Sequence, residues 1–327
     1  MVSAGFEFGL LLHTRHLVRG DNGSGALEEF WDAAHLAETA GVDHLWLGDS
    51  PRLSMLDRAH ADCLTVMAAL AAKTEKVKIG TVPLIAALRN PVLLAHSLAT
   101  LDVISGGRLQ FGVSVAHQYR YAEYEFEACG VPYKQRAGRL DESIRVMRRL
   151  WAEESFSYNG RYYRFPEIGI QPKPVRRAIP VWIAAGDNEN ALKRVARLGD
   201  GWFTVAPTAE EFRARRNRID HFVRGTEREL PALPAALFAT FHLHPDGHKA
   251  EEEGWRLAEN YFRQPRSALH HLSPFFSTPR ECAQRLQPYV DAGLTAVVAR
   301  IVSPDVPGQV RLLLQEVKPR LMPGMKS

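Results

Sequence analysis

The chain has 327 residues, 46% hydrophobic and 24% charged, with 24 glycines, 20 prolines and a net charge of +4. That is a globular balance with ample core, so disordered, collagen-like, coiled-coil and mucin-like classes are excluded and no disulfide or metal staple is needed. Cys63, Cys129 and Cys282 are odd in number with no CxxC, no apolar run approaches the roughly 18 residues of a membrane span, and Met1 to Leu12 lacks a signal-peptide layout, so reduced thiols and a cytoplasmic location are expected.

Short apolar runs alternate with helical periodicity along the chain. Phe6 to Leu12 predicts a strand, and Leu27, Phe30, Trp31, Ala34 and Ala37 line one face of a helix that Gly41 stops. His44 to Gly48 is a second strand, Ala61 to Ala72 a helix, Val77 to Val82 a third strand, Pro91 to Ile104 a helix and Leu109 to Val115 a fourth strand. Leu140, Ile144, Met147 and Trp151 mark a long helix, followed by a hairpin over Phe156 to Phe165 that turns at Asn159-Gly160. Strand Pro180 to Ala184, helix Glu189 to Leu198, strand Gly201 to Val205, helix Ala209 to Arg224 and strand Ala235 to His244 continue the alternation. Pro245 to Phe276 is polar and interrupted by prolines, and breaks the rhythm as expected of an irregular lid. A helix through Ala283, Leu286 and Val290, strand Thr295 to Arg300 and a helix through Val310, Leu313, Leu314 and Val317 close the chain.

Eight strand-then-helix units predict an α/β fold, a (β/α)8 TIM barrel spanning residues 1–327 as one domain, rather than an open doubly wound sheet. The length beyond such a barrel falls in insertions at Gln118 to Gln135, Ser155 to Pro174 and Pro245 to Phe276, after strands 4 and 7. Basic residues such as Arg213, Arg215, Arg216 and Arg218 fit the solvated face of a helix, so neither nucleic acid nor membrane is an expected partner; a small molecule is.

Active sites of these barrels sit at the C-terminal ends of the strands, which points to His13, Asp49, Val82 to Ala87, Ser114 to Tyr121, Ala185 to Asn190, Thr204 to Pro207, His242 to His244 and Arg300. Gly112-Val113-Ser114-Val115-Ala116 is one residue short of a nucleophile elbow, which argues against a serine hydrolase. His242 and His244 share a strand face with Thr240, but no third ligand is spaced to complete a metal site, and none is expected. Gly186, Asp187 and Asn188 stand between a strand and a helix, where free backbone N–H groups make an anion site; the plainer reading is an ordinary helix cap.

Several stretches together resemble one family, the bacterial luciferase-like flavin-dependent oxidoreductases. They are AETAGVDHLWLGDS (Ala37 to Ser50), GTVPLIAALRNP (Gly80 to Pro91), TLDVISGGRLQFGV (Thr100 to Val113), GVPYKQRAGRLDESIRVMRRLW (Gly130 to Trp151) with NGRYYRF (Asn159 to Phe165), QPKPVRRAIPVWIAAG (Gln171 to Gly186), ARLGDGW (Ala196 to Trp202) and STPRECAQRLQPYVDAGLTAVV (Ser277 to Val298). The resemblance implies an eightfold barrel and a flavin at its mouth: reduced FMN, supplied by a separate flavin reductase, or the 8-hydroxy-5-deazaflavin coenzyme. It implies cofactor contacts from Val82 and Pro83 under the ring, from Ser114 after the fourth strand, where relatives often have glycines or a basic phosphate ligand, and from Gly186, Asp187 and Asn188 at the phosphate, with a cis Val82-Pro83 peptide. Asp187 and Glu189 depart from the pattern by placing negative charge beside that phosphate. His13, Asp49, His117 and His242, titratable residues near strand ends, are the candidates for proton handling. The expected function is a flavin-dependent monooxygenase using reduced FMN and dioxygen on a small organic substrate. The alternatives are deazaflavin-dependent hydride transfer and, from another class, a flavin-binding protein without catalysis. A homodimer or higher homo-oligomer is the expected assembly.

Overall fold

A computed structural model describes residues 5–17, 24–49, 60–116, 122–226, 233–269 and 272–321. Within them the strands are β1 (Glu7–Leu12), β2 (His44–Leu47), β3 (Lys78–Thr81), β4 (Leu109–Val113), a hairpin of β5 (Phe156–Asn159) and β6 (Arg164–Ile168), β7 (Val181–Ala184), β8 (Gly201–Thr204), β9 (Ala235–Leu243), β10 (Pro274–Ser277) and β11 (Ala296–Ile301). The helices are α1 (Ser24–Ala40), α2 (Cys63–Lys73), α3 (Pro91–Ile104), α4 (Ala122–Ala128), α5 (Arg136–Ala152), α6 (Glu189–Leu198), α7 (Ala209–Arg224), α8 (Gly247–Phe262), α9 (Pro279–Asp291) and α10 (Val306–Leu312).

Strands β1, β2, β3, β4, β7, β8, β9 and β11 pair in parallel around a closed ring. Closure is visible in the register, with Phe8 of β1 opposite Val297 of β11 and Phe203 of β8 opposite Ala236 of β9. This is the eightfold barrel the alternation predicts. Strand β9 is the longest: its first half pairs with β8, and its second half carries β10 along the same edge, Phe275 opposite Phe241.

The period-two alternation of each strand sorts its residues into two apolar layers. Leu10, Leu45, Ile79, Phe111, Val181 and Leu237 face outward and meet the helices, whereas Leu11, Trp46, Val82, Trp182, Phe203 and Val298 fill the interior. Interior aromatics fit because small residues stand opposite them: a Cβ on Gly9 or Gly80 would collide with the Trp46 indole, and one on Gly201 with that of Trp182. The Trp46 ring then meets Phe203 edge-on, 4.9 Å between centroids. Fully burying side chains of this size stabilises the fold by roughly 1.5–3 kcal/mol each.

Several motifs of the resemblance act as fasteners. In SGGR, Arg108 donates to Thr74 Oγ1 and to the carbonyls of Ala71, Thr74, Val77 and Ser105, tying the end of α2 to the entrances of β3 and β4. In GDGW, Asp200 accepts from Val181 N and Arg148, and Trp202 Nε1 donates to Ala185 O.

The insertions carry more order than the sequence suggests. The first contains α4, the second is the antiparallel hairpin β5–β6, and the third, expected to be an irregular lid, is the 16-residue α8 followed by β10. Pro245 and Pro265 lie outside α8 and delimit it; Asp246 caps its start by accepting from His248 N and Lys249 N, and Arg263 ends it in the left-handed conformation at φ 50°. Its buried face is Ala250, Gly254 and Ala258. Among the described residues no helix is long and apolar enough to cross a membrane.

Candidate functional site at the barrel mouth

The ring of parallel strands brings His13, Asp49, Val82-Pro83, Ser114, Gly186 and His242 to one end of the barrel, as their places at or beyond the strand ends require. His117 lies outside the described residues.

His13, just past β1, meets Tyr261 of α8: the Nδ1–Oη distance is 3.0 Å and the ring centroids are 5.0 Å apart. Arg300, on the interior face of β11, packs its guanidinium 4.3 Å over the Phe238 ring and 5.0 Å over Phe262, and donates to Thr240 Oγ1 at 3.3 Å. Tyr261 also flanks it, at 5.9 Å. One wall of the mouth is therefore a cation among aromatic faces beside a hydrogen-bonded imidazole and phenol.

His242 is buried on β9 with Nε2 3.2 Å from Glu253 of α8, while no partner for its Nδ1 stands among the described residues. Burial lowers the imidazole pKa below its ordinary value, and the adjacent Glu253 carboxylate opposes that shift. His244 accepts from Asp246 N and so belongs to the start of α8.

Asp49 has a different task from the proton handling expected of it. Its carboxylate takes Arg89 in a two-pronged ion pair, 2.8 and 3.0 Å, and accepts Ile85 N at 3.0 Å, which binds the end of β2 to the segment after β3. Both oxygens are engaged, which counts against a free base there. The Val82-Pro83 peptide is cis, as the resemblance implies. Beyond it Leu84 exchanges hydrogen bonds with β4, donating to Gly112 O and accepting from Ser114 N. The Ser114 hydroxyl accepts from Ala116 N, and Ala116 turns the chain with φ 72°.

The loop before α6 fits an anion. Asn188 caps the helix, its side chain accepting from Ala191 N, and a Cβ on Gly186 would meet nothing within 4 Å, so the loop opens onto free space. Asp187 does not stand as an uncompensated charge beside it: Arg218 of α7 holds its carboxylate at 2.6 Å. Among the described residues no group of three His, Cys, Asp or Glu side chains is placed to hold a metal ion.

His13, His242 and the Gly186 loop, picked out by their places near strand ends, stand at the same end of the barrel. Sequence reasoning missed Tyr261, Glu253 and Phe262 because all three lie on α8, in the segment read as irregular. It also missed Arg218, one of several arginines along a solvated helix with nothing local to distinguish it.

The chain is similar to known proteins over most of its length. A family model described as luciferase-like monooxygenase matches residues 6–275. An F420-dependent glucose-6-phosphate dehydrogenase of Nocardia farcinica is 26% identical over 90% of this chain and 94% of its own length. An FMNH(2)-dependent dimethylsulfone monooxygenase of Pseudomonas putida is 28% identical over 70% of each. Among solved structures, a monooxygenase of Streptomyces bottropensis superposes with a TM-score of 0.81 at 23% identity, covering 96% of this chain and 99% of that one.

Proposed function

This chain belongs to the luciferase-like monooxygenase family, and on that footing we propose that it is an oxidoreductase transferring a hydride between a deazaflavin cofactor and a small alcohol or carbonyl substrate. The observation that carries the reading is the His13–Tyr261 pair beside Arg300. Removing a hydride from a carbinol carbon requires the hydroxyl proton to leave as well, and an oriented imidazole next to a cation meets the second need. His13 takes that proton at Nε2 in the tautomer whose Nδ1–H donates to Tyr261 Oη, and Arg300 favours the developing oxygen charge. In the reverse direction the same imidazole returns the proton to the carbonyl oxygen.

The cofactor, when bound, supplies the two-electron hydride chemistry. The chain's part is to seat its phosphate on the backbone N–H groups between Gly186 and α6, where the open space and helix start favour an anion. Trp46, Val82 and Phe203, packed together in the barrel interior, would exclude water from that side of a bound cofactor. The names of the full-length relatives support deazaflavin.

The second reading is an FMN monooxygenase served by a separate reductase, supported by the Pseudomonas putida relative. One experiment separates the readings. Purified protein is titrated without oxygen with oxidised deazaflavin and a panel of alcohols, and with reduced FMN followed by air. Bleaching of the deazaflavin band with an alcohol is the expected result. Substrate-dependent oxygen uptake with reduced FMN and no deazaflavin bleaching would sink the proposal, and binding of either cofactor with no turnover would leave a passive carrier.

A further inference from the structure

Helix α8 runs across the strand ends rather than along them. Glu253, Leu257 and Tyr261 recur at every fourth residue and share one face of the helix. At one end of that face Glu253 meets His242 of β9, Nε2 to Oε2 at 3.2 Å; at the other Tyr261 meets His13 beyond β1 at 3.0 Å. In the sheet β9, β11 and β1 are consecutive neighbours. The span fits, since the helix rises about 12 Å from Glu253 to Tyr261 and two strand spacings measure about 10 Å. Between the two contacts Leu257 packs into one apolar cluster with Val302, just past β11, and the Arg300 guanidinium of β11 lies 5.0 Å from the Phe262 ring. The helix is thus held to three successive strands, with a histidine at either margin.

We infer that Glu253 is a positioning residue for the proposed reaction: by pairing with His242 it fixes where α8 sits across the mouth, and so where Tyr261 Oη stands for His13. The inference rests on the hydride-transfer reading above for what His13 does with its proton, while the strap itself stands on the geometry. A carboxylate only accepts, so His242 Nε2 carries the hydrogen and donates it to Glu253. His242 is buried on β9, so this end of the strap is fixed to the barrel wall. Hydrogen bonds weaken steeply with distance and angle, so a displacement of α8 loosens Tyr261 from His13 and lets the imidazole exchange tautomers. The Glu253 side chain is partly exposed, so the pair adds little to global stability and its effect is expected in the site rather than in the melt.

Ring-nitrogen NMR of the intact protein at about pH 8, where an ordinary imidazole is neutral, reads the His13 tautomer without any turnover, and His13→Gln assigns its signals. The unmodified protein is expected to show a single tautomer with the hydrogen on Nδ1. Glu253→Ala is expected to give the mixed-tautomer signals that Tyr261→Phe gives, whereas Glu253→Gln, whose amide oxygen still accepts from His242, keeps the single tautomer. His242→Leu breaks the same bond from the strand side and is expected to act as Glu253→Ala does, which decides the matter if the alanine variant does not fold. In turnover with deazaflavin, Glu253→Ala is expected to lower kcat about threefold to tenfold with cofactor affinity unchanged, and its combination with Tyr261→Phe to fall no further than Tyr261→Phe alone. Unaltered His13 signals in Glu253→Ala and His242→Leu, or losses that multiply in the double variant, overturn the positioning role. Absence of deazaflavin turnover in the unmodified protein overturns the hydride-transfer reading instead, and the tautomer measurement then judges the strap by itself.

Discussion

At the residue scale, two titratable groups at neighbouring strand ends are held by different partners. Asp49 is locked to Arg89 and Ile85 N, so Asp49→Asn is expected to destabilise the protein by about 2–4 kcal/mol, the cost of breaking one side of a largely buried, hydrogen-bonded ion pair. Denaturant unfolding checks this, with turnover per folded molecule nearly unchanged; full stability with lost turnover would return Asp49 to the chemistry. His13 is held through Nδ1 by Tyr261 of α8. Replacing it with Gln is expected to lower kcat by about 10²- to 10⁴-fold, the usual range for a lost general base, with cofactor affinity nearly constant. Tyr261→Phe removes only the hydroxyl that orients the imidazole, so a smaller drop in kcat and a shifted pH profile are expected. Asp49 and His13 look equivalent in the sequence, because what separates them is a partner 40 residues away for one and 248 for the other.

At the element scale, what the sequence reveals depends on how an element is buried. The barrel strands are legible because both faces are covered, so runs such as Leu10-Leu11-Leu12 and Val297-Val298 read as continuous apolar segments. Helix α8 is hidden instead by its surroundings, a polar segment interrupted by Pro245, Pro265 and Pro274, with Gly254 placed where a Cβ would collide with the Phe276 ring. Since α8 carries Tyr261, Glu253 and Phe262, the loss of one element hid one wall of the site. The hairpin β5–β6 was legible from Asn159-Gly160, but its anchor was not. The Glu142 carboxylate of α5 accepts the backbone N–H groups of Arg161, Tyr162 and Tyr163. Glu142→Gln replaces one acceptor oxygen with a donor facing those N–H groups, and a loss of about 1–3 kcal/mol is expected. Hydrogen exchange should quicken at residues 161–163, and unaltered protection there would show that the hairpin is held by β5–β6 pairing alone.

At the scale of the whole molecule, the barrel divides its polar groups between two ends, the mouth that carries the proposed site and the floor. On the floor, Glu7 of β1 joins three consecutive strands, accepting from His44 Nε2 of β2 at 2.7 Å and from Lys78 Nζ of β3 at 2.8 Å. Burial alone would raise the Glu7 pKa, but the hydrogen bonds and charges of His44 and Lys78 outweigh it and bring the carboxyl from 4.5 down to about 2. Above pH 4.5 the side chain is ionised in both folded and unfolded chains, and its contribution is fully present. As pH falls from 4.5 toward 2 the unfolded chain takes up a proton that the folded one refuses, so stability drops through that window. His242 acts in a separate window at milder acidity: its lowered pKa means that the unfolded chain binds the proton first, so stability begins to fall as pH drops below the ordinary 6.5. Glu7→Gln is therefore expected to cost about 1–3 kcal/mol near neutrality, through lost charge-assisted hydrogen bonds. It should also flatten the fall in stability below pH 4.5 while leaving the slope near pH 6 as it was. Denaturant midpoints measured across pH 3 to 7 read both effects, and a variant curve parallel to the parent below pH 4.5 would mean that the floor network is not what acid breaks first.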